Sequence, residues 1–408
     1  MQNHKFNPQK LILTPADGSP LGIYTNFDAS LINQGLEGDS FRRAEKYVLQ
    51  NTVIQLLPKE RVRGCLRYRI SASDDVEVRY NPNREKAHYS NVQRCGSVWL
   101  CPICSAQISE GRRQELKLAI SNHTKAGGEV YLVTLTNPHY ISDDLQAQLD
   151  GQKQALKYFT GDRASREFMA KHGKVGHIRA MEVTYGQNGW HPHYHFLFFF
   201  ERPILGGAIV LQDFMGKHWQ HCCVKSGLKK PSIEHGCDVR DGSYAQEYVS
   251  KWGLEDEMTK GHIKKGRVGS HTPWDLLRLA EAGVEKAGRL FTVFAKAFKG
   301  KAQLRWSKGL KSRLLVEEKT DEELATETEK DSISITELDI QIWKIILTYK
   351  ARADYLQCVE SDIKTGADTA TDFVMGLAER YIHDYPEVLQ KFAEMMELKD
   401  CVSNAEGG

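Results

Sequence analysis

The sequence lacks several things, and each absence removes a class of protein. No apolar run in its 408 residues approaches the ~20 needed for a membrane helix. The longest candidate, Phe196–Phe200, is closed off by Glu201, Arg202 and Pro203. The opening Met1-Gln-Asn-His-Lys lacks the charged-then-apolar order of a secretory leader, so no export signal is expected. Nine cysteines are too few for a disulfide scaffold, and the number is odd, so reduced thiols or metal ligands are expected. There is no internal repeat and no long low-complexity tract. Nor is there a strong net charge. With 55 basic and 53 acidic residues the balance is +2, which taken whole argues against a strongly basic nucleic-acid binder.

What is present is uneven. Residues 1–315 carry 46 basic and 31 acidic residues, a net of +15, whereas Val316–Gly408 carries 9 and 22, a net of −13. A basic body with an acidic tail region is a pointer to nucleic acid. Within the body, VYLVTLT (Val130–Thr136) reads as a buried strand. Ser142 reads as the cap of a helix running towards Phe159, and another helix is expected over about Leu211–Lys225. Two apolar stretches, His177–Tyr185 and Trp190–Phe200, flank Gly186-Gln-Asn-Gly189, a hairpin signal. A helix over Tyr244–Trp252 is expected, with Ser243 and Gln246 as a capping box. Thr272-Pro273 opens a further one. Beyond Arg313 the pattern reads as helical almost throughout.

The hairpin carries the most chemistry. His191, His193 and His195 alternate and therefore share one face of a strand. A two-residue loop at Gln187-Asn188 places Glu182 opposite His193, and one at Asn188-Gly189 places it opposite His195. Either register leaves the carboxylate on the histidine face. Two imidazoles and a carboxylate suit a divalent metal, and the donor set alone does not separate Zn from Mn or Mg. Pro192 interrupts the ladder beside His191, which favours His193 and His195 as the ligating pair.

On a helix, Tyr244, Tyr248 and Lys251 are spaced to share a face. A tyrosine hydroxyl, with a pKa of about 10, is a poor nucleophile unless a metal or ammonium neutralises charge at the group under attack. Glu247 is one residue from Tyr248 and points roughly 100° away. Cys95-x5-Cys101-Pro-Ile-Cys104 has the tight spacing of zinc ribbons, with Cys65 as the expected fourth ligand and His88 as its competitor. Cys222, Cys223 and Cys237 fall near His218 and His221, but their spacing is irregular and no second zinc site is expected there. Lys260, Lys264, Lys265 and Arg267, in KGHIKKGR with Trp252 and Trp274 on either side, have the basic and aromatic character that single-stranded DNA binding uses.

Taken in order, LVTLTNPH (Leu132–His139), HPHYHFL (His191–Leu197) and YVSK (Tyr248–Lys251) resemble the three motifs of the HUH endonuclease superfamily. The likeness is nearest to bacterial plasmid rolling-circle replication initiators. RCGSVWLCPIC (Arg94–Cys104) and LRWSKGL (Leu304–Leu310) also look like that family, so the resemblance spans about residues 60–315. It implies an α+β fold: a nuclease domain with a central, mostly antiparallel sheet flanked by helices, joined to a zinc module and an all-helical C-terminal region. The segments expected are 1–60, 61–125 (zinc module), 126–315 (nuclease) and 316–408 (acidic helices, dispensable for nicking).

The implied activity is nicking and rejoining of single-stranded DNA. Tyr248 would attack the scissile phosphate and hold the 5′ end, leaving a free 3′-OH as primer. His193, His195 and Glu182 would hold Mn or Mg, with His191 beside them, Lys251 would contact phosphate, and the cysteines would hold structural Zn. The best-known plasmid members carry Glu where this sequence has Tyr244. That departure makes a two-tyrosine pattern, as in phage initiators and some transposases, and implies that a second tyrosine attack ends the reaction. Single-stranded or supercoiled plasmid origin DNA is the implied partner in a bacterial cytoplasm, without membrane. A host helicase, a polymerase and a second copy of the chain are the other partners this reading allows. The competing readings are a two-tyrosine HUH transposase, a metal-dependent hydrolase whose tyrosines only pack, and a non-catalytic zinc DNA-binding protein.

Overall fold

In a computed structural model of the chain, residues 39–250, 270–327 and 331–387 are described. They form two compact units, each assembled from separated stretches of chain. Among the described residues the first takes Val48–Val62 and Cys95–Ala325, and the second takes 39–47, Arg63–Arg94 and the part from Thr326 onward. These discontinuous units differ from the consecutive segments expected.

The first unit is α+β. Its elements in chain order are α1 (Pro102–Lys125), β1 (Glu129–Leu135), α2 (Leu145–Gly161), α3 (Arg163–Lys171), β2 (Lys174–Gly186), β3 (Gly189–Phe200), α4 (Gly207–Lys225), β4 (Cys237–Arg240), α5 (Gly242–Ser250), α6 (Pro273–Glu281), α7 (Glu285–Phe298) and β5 (Leu304–Trp306). The five strands form one sheet in the order β4-β1-β3-β2-β5, with every neighbouring pair antiparallel. Local chemistry sets the helix starts. Pro102 occupies the first turn of α1, where its missing N–H costs nothing. Asp144, rather than Ser142, caps α2 by accepting the Ala147 N–H at 2.8 Å. At α5 the side chain of Asp241, rather than Ser243, takes the orphan donors: Ser243 gives it both its N–H and its hydroxyl. Thr272 and Asp275 form a reciprocal capping box at α6.

The central hairpin fixes the site. Gly186 pairs with Gly189, so the loop is Gln187-Asn188. Gly189 takes the left-handed conformation at φ 87°, and an added Cβ would lie 2.9 Å from the Ile141 Cα. Along β3, Trp190, Pro192, Tyr194 and Phe196 are buried, while His191, His193 and His195 are only half-buried. This is the period-2 alternation of a strand. From Phe196 onward both faces are buried, because helices cover both. Leu197 and Phe199 continue the histidine face into a cluster with Ile178, Ala180, Leu132, Leu116, Ala245 and Val249, so α1 and α5 pack on this side. Each large side chain fully buried there contributes about 1.5–3 kcal/mol. Phe196 on the opposite face meets Phe159 of α2, which in turn packs edge-on against Trp219 of α4. The histidines thus sit where the apolar cover of the sheet ends.

The second unit has a three-stranded antiparallel sheet, with Val76–Asn81 in the middle and Lys86–Ser90 and Ile333–Leu338 on its two sides. Helices Ile340–Thr348 and Arg352–Thr365 supply its buried side chains Trp343, Ile346, Leu356 and Val359. Tyr89 packs edge-on against Trp343 at 4.8 Å and donates its hydroxyl to the Arg352 carbonyl at 2.9 Å. The expectation of an all-helical region beyond 316 is therefore corrected. ISITEL (Ile333–Leu338) is rich in β-branched residues, which favour the pleated conformation, and it pairs with Val76–Tyr80. Among the described residues, no helix is long and apolar enough to cross a membrane.

Candidate metal centre and tyrosine helix

The register of the hairpin puts Glu182 directly across from His193, as the Gln187-Asn188 loop requires. The Glu182 Oε2 lies 3.4 Å from the Nε2 of both His193 and His195. That is long for a hydrogen bond. It is the separation of donors around a tetrahedral ion with bonds of about 2.0–2.2 Å, which comes to ~3.4 Å.

Proton bookkeeping on the rings points the same way. The His193 Nδ1 lies 3.2 Å from the His191 carbonyl oxygen. A carbonyl only accepts, so Nδ1 carries a hydrogen and Nε2 is the nitrogen that faces Glu182. The His195 Nδ1 lies 2.9 Å from the Thr134 Oγ1, on the strand directly opposite. Three acceptors converging this closely need a cation between them, a metal or protons on the imidazoles. The donor set fits a divalent metal held by Glu182, His193 and His195. Burial acts to raise the Glu182 carboxyl pKa, but the neighbouring His195 and His193 outweigh it and hold the group well below its ordinary 4.5.

Tyr248 completes the cluster. Its ring packs against the apolar core beneath α5 and sits 4.8 Å from the His195 ring. Its hydroxyl donates to the Glu182 Oε1 at 2.9 Å. One oxygen of Glu182 thus faces the histidines and the other faces the tyrosine. The buried Ala245 and Val249 anchor α5 on the sheet, which sets Tyr248 at this height.

Other expected residues lie elsewhere. His191 is outside the donor group, and its ring stacks between His139 at 4.5 Å and His193 at 5.0 Å. Tyr244, 44% exposed, lies with its ring over the Arg240 guanidinium at 4.9 Å. Lys251, Lys260, Lys264, Lys265 and Arg267 lie outside the described residues. Thr134 and His139 were not singled out from sequence. The signal for Thr134 was its strand, LVTLT, whose antiparallel register brings it opposite His195.

Cys95, Cys101 and Cys104 converge in the first unit, all fully or almost fully buried, with their sulfurs within 4.8 Å of one another. The Cys95 and Cys104 sulfurs are 3.7 Å apart. Zinc–sulfur bonds of about 2.3 Å around a tetrahedron give an edge of ~3.8 Å. Cys101 also accepts the Cys104 N–H at the start of α1. Cys65 is buried in the second unit. His88 stands on the strand Lys86–Ser90, where burial, Arg94 and Arg79 lower its pKa to about 4. A further grouping was not expected: Asp162, His218 and Cys222 bring their donor atoms within 4.8 Å of one another.

A family profile described as "Replication protein" matches residues 86–356, which is more than half of the chain. The chain belongs to the Rep_1 family of replication proteins. This is the bacterial plasmid rolling-circle family to which the ordered motifs pointed. Among curated relatives, a "Protein rep" of Streptomyces lividans is 30% identical, over 46% of this chain and 53% of its own length. A Streptomyces cyanogenus protein named "Neomycin resistance protein" is 33% identical, over 25% of this chain and 29% of its own. A "Protein rep" of Streptococcus pneumoniae is 29% identical, over 30% and 38% respectively. The chain thus spans about half or less of the length of these relatives. No solved structure matches.

Proposed function

We propose that this Rep_1 protein initiates plasmid rolling-circle replication by cutting and rejoining single-stranded DNA at the origin through Tyr248. The observation that carries this reading is the hydrogen bond from the Tyr248 hydroxyl to the free oxygen of Glu182, at the edge of a two-histidine, one-carboxylate donor group. The phenol is held in place by packing, and its proton already faces an acceptor. In the proposed step the Tyr248 oxygen bonds to the scissile phosphorus and the P–O3′ bond breaks. The phenolic proton leaves towards Glu182, and the departing 3′ oxygen is protonated to the free 3′-OH that primes synthesis. The 5′ end stays on the protein as a phosphotyrosine. Glu182, His193 and His195 would hold Mn or Mg, which supplies charge neutralisation at the phosphate. His191 braces His193 by stacking and through its carbonyl.

Reversal with a new 3′-OH, or attack by a second tyrosine, releases the DNA. Tyr244 is exposed and one helical turn from Tyr248, so it is the candidate for that second attack. Lys251 and the cluster Lys260, Lys264, Lys265 and Arg267 would meet backbone phosphates. The close Cys95–Cys104 sulfur pair supports structural zinc on Cys95, Cys101 and Cys104, with Cys65 as the fourth ligand proposed from sequence. The test is incubation with labelled single-stranded origin DNA and Mn or Mg. A denaturation-resistant adduct is expected that Tyr248→Phe abolishes. Cutting retained with rejoining lost is expected for Tyr244→Phe, and unchanged rejoining would remove the second-tyrosine role.

A further inference from the structure

On the other side of the sheet from the tyrosine helix, α4 presents His218 and Cys222 one turn apart, the spacing at which two side chains of a helix meet. The Cys222 sulfur lies 3.6 Å from the His218 Nε2. Bonds of about 2.3 Å to sulfur and 2.0–2.1 Å to nitrogen around a tetrahedron give an edge of ~3.6 Å. Asp162, in the one-residue corner between α2 and α3, brings a carboxylate oxygen to the same place, so all three donor atoms lie within 4.8 Å of one another.

The surroundings orient the ring. His218 stacks on Phe159 and Phe214, each at 5.6 Å, and hydrogen-bonds to the backbone of Phe159 and Tyr158 in the last turn of α2. A ring nitrogen bound to backbone fixes the tautomer and frees the other for a metal, the usual arrangement behind ligating histidines. Cys222 is fully buried, whereas its neighbour Cys223, equally buried, stays outside the donor group. Lys225, with its ammonium 3.7 Å from Asp162, is the nearby cation that a metal would have to share the carboxylate with.

We propose that Asp162, His218 and Cys222 form a further metal site, selective for zinc, with three protein ligands and a fourth position taken by water. Thiolate, imidazole and carboxylate together exclude Mg and Ca as the preferred ion and suit zinc. The ion would tie the corner between α2 and α3 to α4. That helix also holds the end of β1 through the Trp219 Nε1 donating to the Thr136 carbonyl at 2.7 Å. The site therefore braces the helical layer behind the strand that carries Thr134. It is separate from the Glu182 centre, and its existence does not depend on the nicking chemistry.

The test is zinc itself, counted on the full chain. After removal of metal and reloading with zinc, Cys222→Ser should retain one equivalent fewer than the native protein, and Cys223→Ser should retain the native number. Equal zinc content in native protein and Cys222→Ser would overturn the site, as would an equal loss in Cys223→Ser. Asp162→Asn, at a partly exposed corner, covers the case in which Cys222→Ser does not fold. Its weakest zinc equivalent should bind roughly tenfold or more less tightly, and native affinity there would overturn the proposal. Cobalt substitution gives a second readout: the thiolate-to-cobalt absorption should diminish in Cys222→Ser by the share of one site.

Discussion

Replacing Thr134 by Val probes the metal centre without touching a ligand. The two side chains have nearly the same shape, so packing in β1 is preserved while the hydroxyl facing the His195 Nδ1 at 2.9 Å is lost. A neutral imidazole can carry its hydrogen on either nitrogen; when Nε2 is to bind a metal the hydrogen sits on Nδ1, where the Thr134 hydroxyl can accept it. Without it, part of the His195 population presents Nε2–H to the site and must exchange that proton before binding a metal. Loss of such a support costs about 10–100-fold in metal affinity, or about 1.4–2.7 kcal/mol. The metal-free protein should lose only about 0.5–1.5 kcal/mol of stability, the worth of one neutral hydrogen bond. The assay is Mn titration by calorimetry, because Mn favours oxygen donors over thiolates and so reports on the site without cysteine. Thr134→Ser keeps the acceptor and should bind Mn like the native protein. His193 keeps its own support from the His191 carbonyl in all these variants. Native Mn affinity in a folded Thr134→Val protein would refute the reasoning, since the hydroxyl would then have no part in presenting His195.

Three other perturbations test the framework. Gly189→Ala forces a side chain into a left-handed residue whose Cβ would stand 2.9 Å from the Ile141 Cα. It should cost about 1–2 kcal/mol from conformation alone, more with the clash, in urea unfolding, and should weaken Mn binding by disturbing the Glu182–His193 register. His177 on β2 has its pKa lowered to about 3 by burial, with Lys174 and Arg179 adding to the effect. Its folded value lies below the unfolded 6.5, so the stability attached to its neutral form is complete above pH 6.5. That stability is lost as pH falls towards about 3, by at most ~1.4 kcal/mol per unit. His177→Gln should flatten this part of a stability–pH curve, and an unchanged slope would assign the effect elsewhere. Ending the chain at Ala325 removes the strand Ile333–Leu338, which pairs with Val76–Tyr80, and Trp343, which packs against Tyr89. Limited proteolysis should then cut within residues 63–94 far faster than in the full chain; equal protection would mean that this hairpin folds without its C-terminal partners.

Much of the site was legible because it is encoded over short distances. The period of a strand puts His193 and His195 on one face, and a two-residue loop fixes Glu182 opposite His193. Neither needs knowledge of the rest of the chain. Tyr248 was legible as part of a helix following the hairpin, but not its hydrogen bond to Glu182, because α5 reaches the sheet only through burial of Ala245 and Val249. Caps were misread at both Ser142 and Ser243. In each case an aspartate two residues away takes the role. ISITEL was hidden by its setting: acidic, helix-prone residues precede it, and its pairing strand lies some 250 residues earlier in the chain. Asp162 was invisible as a companion of His218 and Cys222 for the same reason, since only tertiary packing of α2 on α4 brings it there. The +15 charge of the first 315 residues is legible from composition alone. The −13 region is divided between the units: its part from Thr326 onward, with the strand Ile333–Leu338, belongs to the second.

The measurement that bears most directly on the central claim is the identity of the residue joined to DNA. Native protein is incubated with labelled single-stranded origin DNA and Mn, digested, and the DNA-linked peptide sequenced by mass spectrometry. The account predicts a 5′-phosphate on Tyr248, formation of the adduct at native level in Tyr244→Phe, and none in Tyr248→Phe or Glu182→Ala. An adduct on another residue, or one that persists in Tyr248→Phe, would contradict it.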